Sequence, residues 1–156
     1  MGLILLIGST NFFMAIIPQN RLTDNSNYQL ALAINEQTES NSTIIIAGSG
    51  KNSYLYGKIY LPYFALRNTI VLDWRLGKKF TCKDLAKEIN QLIGNNTRVY
   101  LLSEIADLTP TLTSLLRFHK IPVGEYKNFL NRLNLGDKIA LPQNYFLIEV
   151  KSIISR

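Results

Sequence analysis

Three consecutive isoleucines, Ile44 to Ile46, constrain this chain more than any other feature. A strand with one wet face alternates apolar and polar residues. A strand that is apolar at every position is buried on both faces, as the central strands of parallel sheets are. The spacing predicts such a strand over Thr43 to Ala47, broken by Gly48-Ser49-Gly50. A second run of the same kind is expected over Thr69 to Trp74. Between them, Tyr54, Tyr56, Tyr60, Tyr63 and Phe64 crowd a connection that reads as part helical, with Pro62 bending it.

The flanking segments supply the helices that two buried faces require. Asp24 is the expected N-cap of a helix over about 25–38 with a partial apolar face. Thr81 and Asp84 form a capping-box pattern ahead of a helix over 82–93. Leu85, Ile89, Leu92 and Ile93 give that helix one apolar stripe. Arg98 to Ser103 is a third strand, and Thr109-Pro110 opens another helix with proline at its first position. Pro122 restarts the chain as a further helix with Tyr126, Phe129, Leu130 and Leu133 inward, ended by Gly136. Lys138 to Leu141 and Tyr145 to Val150 read as a hairpin about Pro142-Gln143-Asn144.

Alternation of strand and helix predicts an α/β fold: a small Rossmann-like sandwich of three parallel strands, with the C-terminal antiparallel hairpin at an edge. A length of 156 residues suits one such domain, assigned to residues 20–156.

Residues 1–19 stand apart. Met1 to Asn20 carries no charged side chain, and Gly2 to Pro18 is apolar around Ser9-Thr10-Asn11. At 1.5 Å per residue a helix of this length approaches the roughly 30 Å hydrocarbon core of a bilayer. A signal peptide would carry Lys or Arg ahead of the apolar run and a small-x-small site after it, and neither is present. A buried core helix is the third reading. The segment is read as a short membrane-spanning helix whose polar dent suits packing against other membrane helices.

Net charge is +6, unevenly placed. Residues 41–156 hold 16 of the 17 basic and 8 of the 11 acidic side chains. Such a domain can meet nucleic acid or anionic lipid headgroups, although no block of like charge appears. The single cysteine, Cys82, excludes an internal disulfide, and the single histidine, His119, excludes a multi-histidine metal site.

Motifs that name a reaction fail on inspection. Gly48-Ser49-Gly50-Lys51 looks like the end of a P-loop, but Ile45 stands where the first glycine belongs and Asn52 where the Mg²⁺-binding hydroxyl belongs. A Rossmann fingerprint fails at Ser53. A nucleophile elbow at Ser49 lacks both outer glycines, which are Ala47 and Lys51. No catalytic, cofactor-binding or metal residue is therefore assigned, and no cofactor is expected. Loops after parallel strands are where α/β folds bind ligands, so Ser49, Lys51, Asp73 and Glu104 are the candidate pocket residues. Polar strand-end loops are also simply wet. His119 lies along an amphipathic helix. The tyrosines beside Lys51, Lys58 and Arg67 could stack nucleic-acid bases, line a membrane interface or pack helix on sheet. Core packing is the default among the three, and nucleic acid is not an expected partner.

From Lys58 to Asp73, the run Lys-Ile-Tyr-Leu-Pro-Tyr-Phe-Ala-Leu-Arg-Asn-Thr-Ile-Val-Leu-Asp carries a family likeness. The order of last span, short helix, apolar strand ending near glycine, Tyr-x-x-Tyr-Phe and Arg, then another apolar strand resembles the C-terminal extracytoplasmic domain of GT-C-type multi-pass membrane glycosyltransferases. Here it is met by Gly2–Ile17, residues 25–38, Thr43–Gly48, Tyr60–Arg67 and Thr69–Asp73, about the first half of the chain. In that family the catalytic acid lies in an early extracytoplasmic loop, so no catalytic residue carries over. The resemblance implies a membrane-tethered, non-catalytic extracytoplasmic domain, the terminal fragment of a membrane enzyme. Its partners would be the lipid bilayer, other membrane helices and lipid-linked phosphosugar. A soluble α/β ligand-binding or enzymatic domain, and a basic nucleic-acid-interaction module, are the alternatives.

Overall fold

A computed structural model of the chain describes residues 25–48, 56–76 and 81–154. The elements in order are α1 (Ser26–Gln37), β1 (Ser42–Ile46), a π-helix (Tyr56–Ala65), β2 (Asn68–Val71), α2 (Leu72–Leu76), α3 (Cys82–Gly94), β3 (Arg98–Leu102), α4 (Ser103–Ala106), α5 (Pro110–Phe118), α6 (Val123–Leu130), β4 (Leu133–Ala140), a 3₁₀ turn (Pro142–Asn144) and β5 (Phe146–Ile153). They build a mixed α/β domain around one five-stranded sheet of order β2-β1-β3-β5-β4. β1 runs parallel to β2 and β3, while β5 runs antiparallel to both β3 and β4.

The isoleucine run is explained by two cores. Ile44 and Ile46 pack on one face of the sheet against Leu30, Ala31 and Ile34 of α1 and Leu61 and Ala65 of the π-helix. Ile45 and Ala47 pack on the other face against Leu85 and Ile89 of α3 and Leu112, Leu115 and Leu116 of α5. β3 alternates in the same way, Val99 and Leu101 to one side, Tyr100 and Leu102 to the other. Each fully buried isoleucine contributes on the order of 1.5–3 kcal/mol relative to exposure.

Local chemistry sets the helix starts. Thr81 and Asp84 form the expected capping box, with the Thr81 backbone N–H donating to Asp84 Oδ2 at 2.9 Å and the Asp84 N–H donating to Thr81 Oγ1 at 3.3 Å. Thr109 caps α5 by accepting the Leu112 N–H at 3.2 Å, with Pro110 at the first helical position. At α1, Asn25 is the cap, its Oδ1 accepting from the N–H groups of Asn27 and Tyr28. The expected cap, Asp24, lies outside the described residues.

Two expectations are corrected. The second strand ends at Val71, and Leu72 to Leu76 is a helical turn, so Asp73 and Trp74 are not strand residues. The apolar run Ile70 to Leu72 cannot by itself separate a strand from the first turn of a helix that follows it. Leu133 does not close a helix, nor does Gly136 end one; both lie in β4, where Leu133 is buried. Gly136 lies where the β4–β5 register shifts between Leu135 and Lys138, and a glycine inside a strand often marks such an irregularity rather than a helix stop.

No helix among the described residues is long and apolar enough to cross a membrane. The N-terminal segment read as a span, residues 1–19, lies outside the described residues.

Candidate functional site at the strand ends

Helices from opposite faces meet the sheet between β1 and β3. The connection from β1 to β2 carries the π-helix over one core, and that from β2 to β3 carries α3 over the other. In open α/β sheets the crevice where the winding changes side is the usual place for a ligand. Beyond the carboxyl ends of these strands lie Ala47 and Gly48, Asp73 and Glu104.

Glu104, on α4, reaches across this crevice. Its Oε1 accepts the Ala47 N–H at 2.6 Å, and its carboxylate also accepts from the Gly48 N–H. Burial pushes its carboxyl above the usual carboxylate range, with these two N–H groups pulling the other way. The carboxylate thereby satisfies backbone donors at the end of β1.

Asp73 sits at the start of α2. Its backbone N–H donates to the Ala47 carbonyl at 2.9 Å, drawing the end of β2 onto the end of β1. Its Oδ1 lies 2.8 Å from Nε2 of His119, the C-cap residue of α5. The His119 side chain is 9% exposed and that of Asp73 35%. Gly48 completes the corner with φ +82°, and an added Cβ would fall 2.1 Å from Val71 Cγ1. Only glycine fits a backbone of that hand at that approach.

Of the four candidate pocket residues, Asp73 and Glu104 come to this edge. Each is bonded within the fold rather than aimed together at a common point. Ser49 and Lys51 lie outside the described residues. Sequence reasoning missed the His119–Asp73 pair. Its partners are 46 residues apart and approach across the sheet edge, so no local spacing announces them.

The segment that carries the family likeness is a clamp. The Tyr60 hydroxyl accepts from Asn25 Nδ2 at 2.8 Å, and the Phe64 ring meets that of Tyr28 edge-on at 5.0 Å. Arg67 is 6% exposed. Its guanidinium donates to Thr38 Oγ1 and O, to Asn35 O and Oδ1, and to the carbonyls of Ala65 and Leu66. Burial lowers its pKa, but a guanidinium stays charged at any ordinary pH. Arg67 is therefore a buried cation solvated by backbone and is out of reach of a polyanion. On the outside of the same segment, Tyr63 is 71% exposed and Leu66 64%.

A second concavity, of about 320 Å³, opens beside α4. One wall is Ser103, Glu104, Asp107 and Thr111; the other is the turn and start of β5, Gln143 to Phe146.

Comparison with protein-family models, with curated proteins and with solved structures finds no match.

Proposed function

We propose that this chain is a membrane-tethered, non-catalytic extracytoplasmic α/β domain, related to the C-terminal domains of GT-C-type membrane glycosyltransferases. In this reading the α/β domain is a small Rossmann-like sandwich that follows an N-terminal hydrophobic helix. It covers or braces a membrane-embedded partner and performs no sugar transfer of its own.

The observation that carries the proposal is the construction of Tyr60 to Arg67. The segment is clamped inward by Arg67 and Tyr60 onto α1, and it presents Tyr63 and Leu66 outward. A rigid element with an aromatic and an aliphatic side chain in the open suits a headgroup layer or an apolar partner surface, where amphipathic rings settle. α1 is also the first described element after the uncharged N-terminal stretch.

The use of the reactive groups supports the non-catalytic part. Glu104 holds backbone N–H groups and Asp73 holds His119. Cys82 is buried, and desolvation, with Glu125 beside it, pushes its thiol up to about 11, so little thiolate exists at neutral pH.

Fractionation of cells expressing the full chain tests the tether. It is expected in the membrane fraction, resistant to alkaline extraction and released only by detergent. Recovery as a monodisperse protein without detergent sinks the proposal.

A further inference from the structure

The concavity between α4 and the β4–β5 turn has the chemistry of a binding site, and the argument for it stands apart from membrane attachment. Ser103 is the telling residue. It is only 9% exposed, it lines the cavity, and among the described residues its hydroxyl has no hydrogen-bond partner. Unlike the sealed hydroxyls of Ser42 and Thr43, it opens onto the cavity, so a ligand there can reach it and take its hydrogen bonds.

The rest of the lining narrows the class of ligand. Among the described residues no lysine or arginine lines the cavity, so these give a phosphate or a carboxylate no opposite charge. Glu104 is already engaged by Ala47 and Gly48. What remains for a ligand is neutral or singly acidic: the hydroxyls of Ser103 and Thr111, the Asp107 carboxylate, the amide of Asn144 and the half-buried ring of Tyr145. Hydroxyls and amides both give and accept hydrogen bonds, a carboxylate accepts two, and an aromatic wall takes the apolar face of a ring. This combination matches a neutral polyhydroxylated ring. The volume of about 320 Å³ is at the lower end for small-molecule sites, which run from about 300 to 1,000 Å³.

The far wall is built to hold its shape. Gln143 and Asn144 both take left-handed backbone, with φ +61° and +62°. Gln143 Nε2 donates to the Ser26 carbonyl of α1 at 2.7 Å, and the Leu141 N–H donates to the Tyr145 carbonyl at 2.9 Å. The turn is thus fixed from both sides before any ligand arrives, which lowers the ordering cost of binding.

We propose that this cavity binds a neutral polyol of the size of one sugar ring, with Ser103, Asp107 and Thr111 holding its hydroxyls and Tyr145 beside its apolar face. The test is a ¹H–¹⁵N NMR titration of the full chain in a polyoxyethylene detergent, which carries no sugar headgroup. Methyl α-glucopyranoside and myo-inositol are the probes, with putrescine and inorganic phosphate as cationic and anionic comparisons. Saturable shifts are expected at the amides of Ser103, Asp107 and Gln143 with one of the polyols. Ser103→Ala and Thr111→Val should each weaken that binding roughly tenfold, the value of a lost hydrogen bond. Thr111 is exposed, so its variant separates loss of binding from loss of fold. The proposal is overturned if neither polyol shifts these amides, if both variants bind as the parent does, or if putrescine or phosphate saturates the cavity instead.

Discussion

Arg67 and Thr38 meet twice, Nε donating to Thr38 Oγ1 at 2.9 Å and Nη2 to the Thr38 carbonyl at 2.6 Å. Thr38 Oγ1 in turn donates a hydrogen bond to the Ile34 carbonyl at 2.6 Å. The buried guanidinium thus terminates α1 by filling carbonyls that the helix leaves open at its end. Lysine cannot reproduce a planar fork that serves four backbone carbonyls in two segments. Arg67→Lys is expected to lose about 2–3 kcal/mol, because buried carbonyls lose their donors. Urea unfolding of the full chain measures it, and a loss under about 0.5 kcal/mol would show that water replaces the fork.

The His119–Asp73 bond ties the end of α5 to the start of α2, over the end of β1. With the His119 side chain almost wholly buried, removing its acceptor leaves a ring nitrogen without a partner. Asp73→Ala and His119→Ala are each expected to destabilise. In the double variant the two losses should fall short of additive by about 1 kcal/mol, the net worth of one hydrogen bond. Strict additivity in that cycle would mean the pair is a neighbourly contact and not a tie.

Glu104 gives the chain a pH dependence of a definite sign. Its folded-state pKa is raised by burial, so the native state holds the Glu104 proton more tightly than the unfolded chain does. That contribution to stability is full below the unfolded carboxylate range and is lost as pH rises through the higher folded pKa. Glutamine is neutral throughout and still accepts the Ala47 N–H. Glu104→Gln should therefore gain on the parent as pH is raised from below the carboxylate range, and level off once Glu104 is ionised in the fold. Urea midpoints of both proteins across that range decide it, a gain of opposite sign counting against a desolvated carboxylate.

Thr81 and Asp84 are a local device and make a local prediction. Thr81→Ala removes the acceptor for the Asp84 N–H at the start of α3 and should cost about 1 kcal/mol. Because α3 packs Leu85 and Ile89 into the core under β1 and β3, the loss should appear in global unfolding and not as fraying of α3 alone. Hydrogen exchange that rises only in the first turn of α3 would contradict this.

These elements also show where the sequence is legible. Ile44 to Ile46, the capping box and Thr109-Pro110 each act through neighbours in the chain, so their patterns survive in one dimension. The site does not have that property. Asp73 and Glu104 could be placed after strands, but what they bond is decided by backbone at Ala47 and a side chain at His119. Leu72 to Trp74 misleads for a related reason: Leu72 and Trp74 are apolar whether the chain continues β2 or turns into α2. The part Tyr60 to Arg67 plays as a clamp on α1 depends on the Asn35 and Thr38 carbonyls, which no local spacing announces.

Gly48 is where the edge of the sheet has least room. Its φ of +82° disfavours any side chain, and a Cβ there would overlap Val71 Cγ1 at 2.1 Å. Gly48→Ala is expected to destabilise by about 1–3 kcal/mol through overpacking and backbone strain together. The two causes can be separated. Val71→Ala removes the clashing methyl and by itself costs a core cavity. If steric overlap dominates, Gly48→Ala should do less harm in the Val71→Ala background than in the parent, by roughly 1 kcal/mol. If strain at φ +82° dominates, the cost of Gly48→Ala should be the same in both backgrounds. The overlap distance favours the first outcome, because an atom pair at 2.1 Å must move apart whereas alanine tolerates left-handed backbone at a cost of order 1–2 kcal/mol.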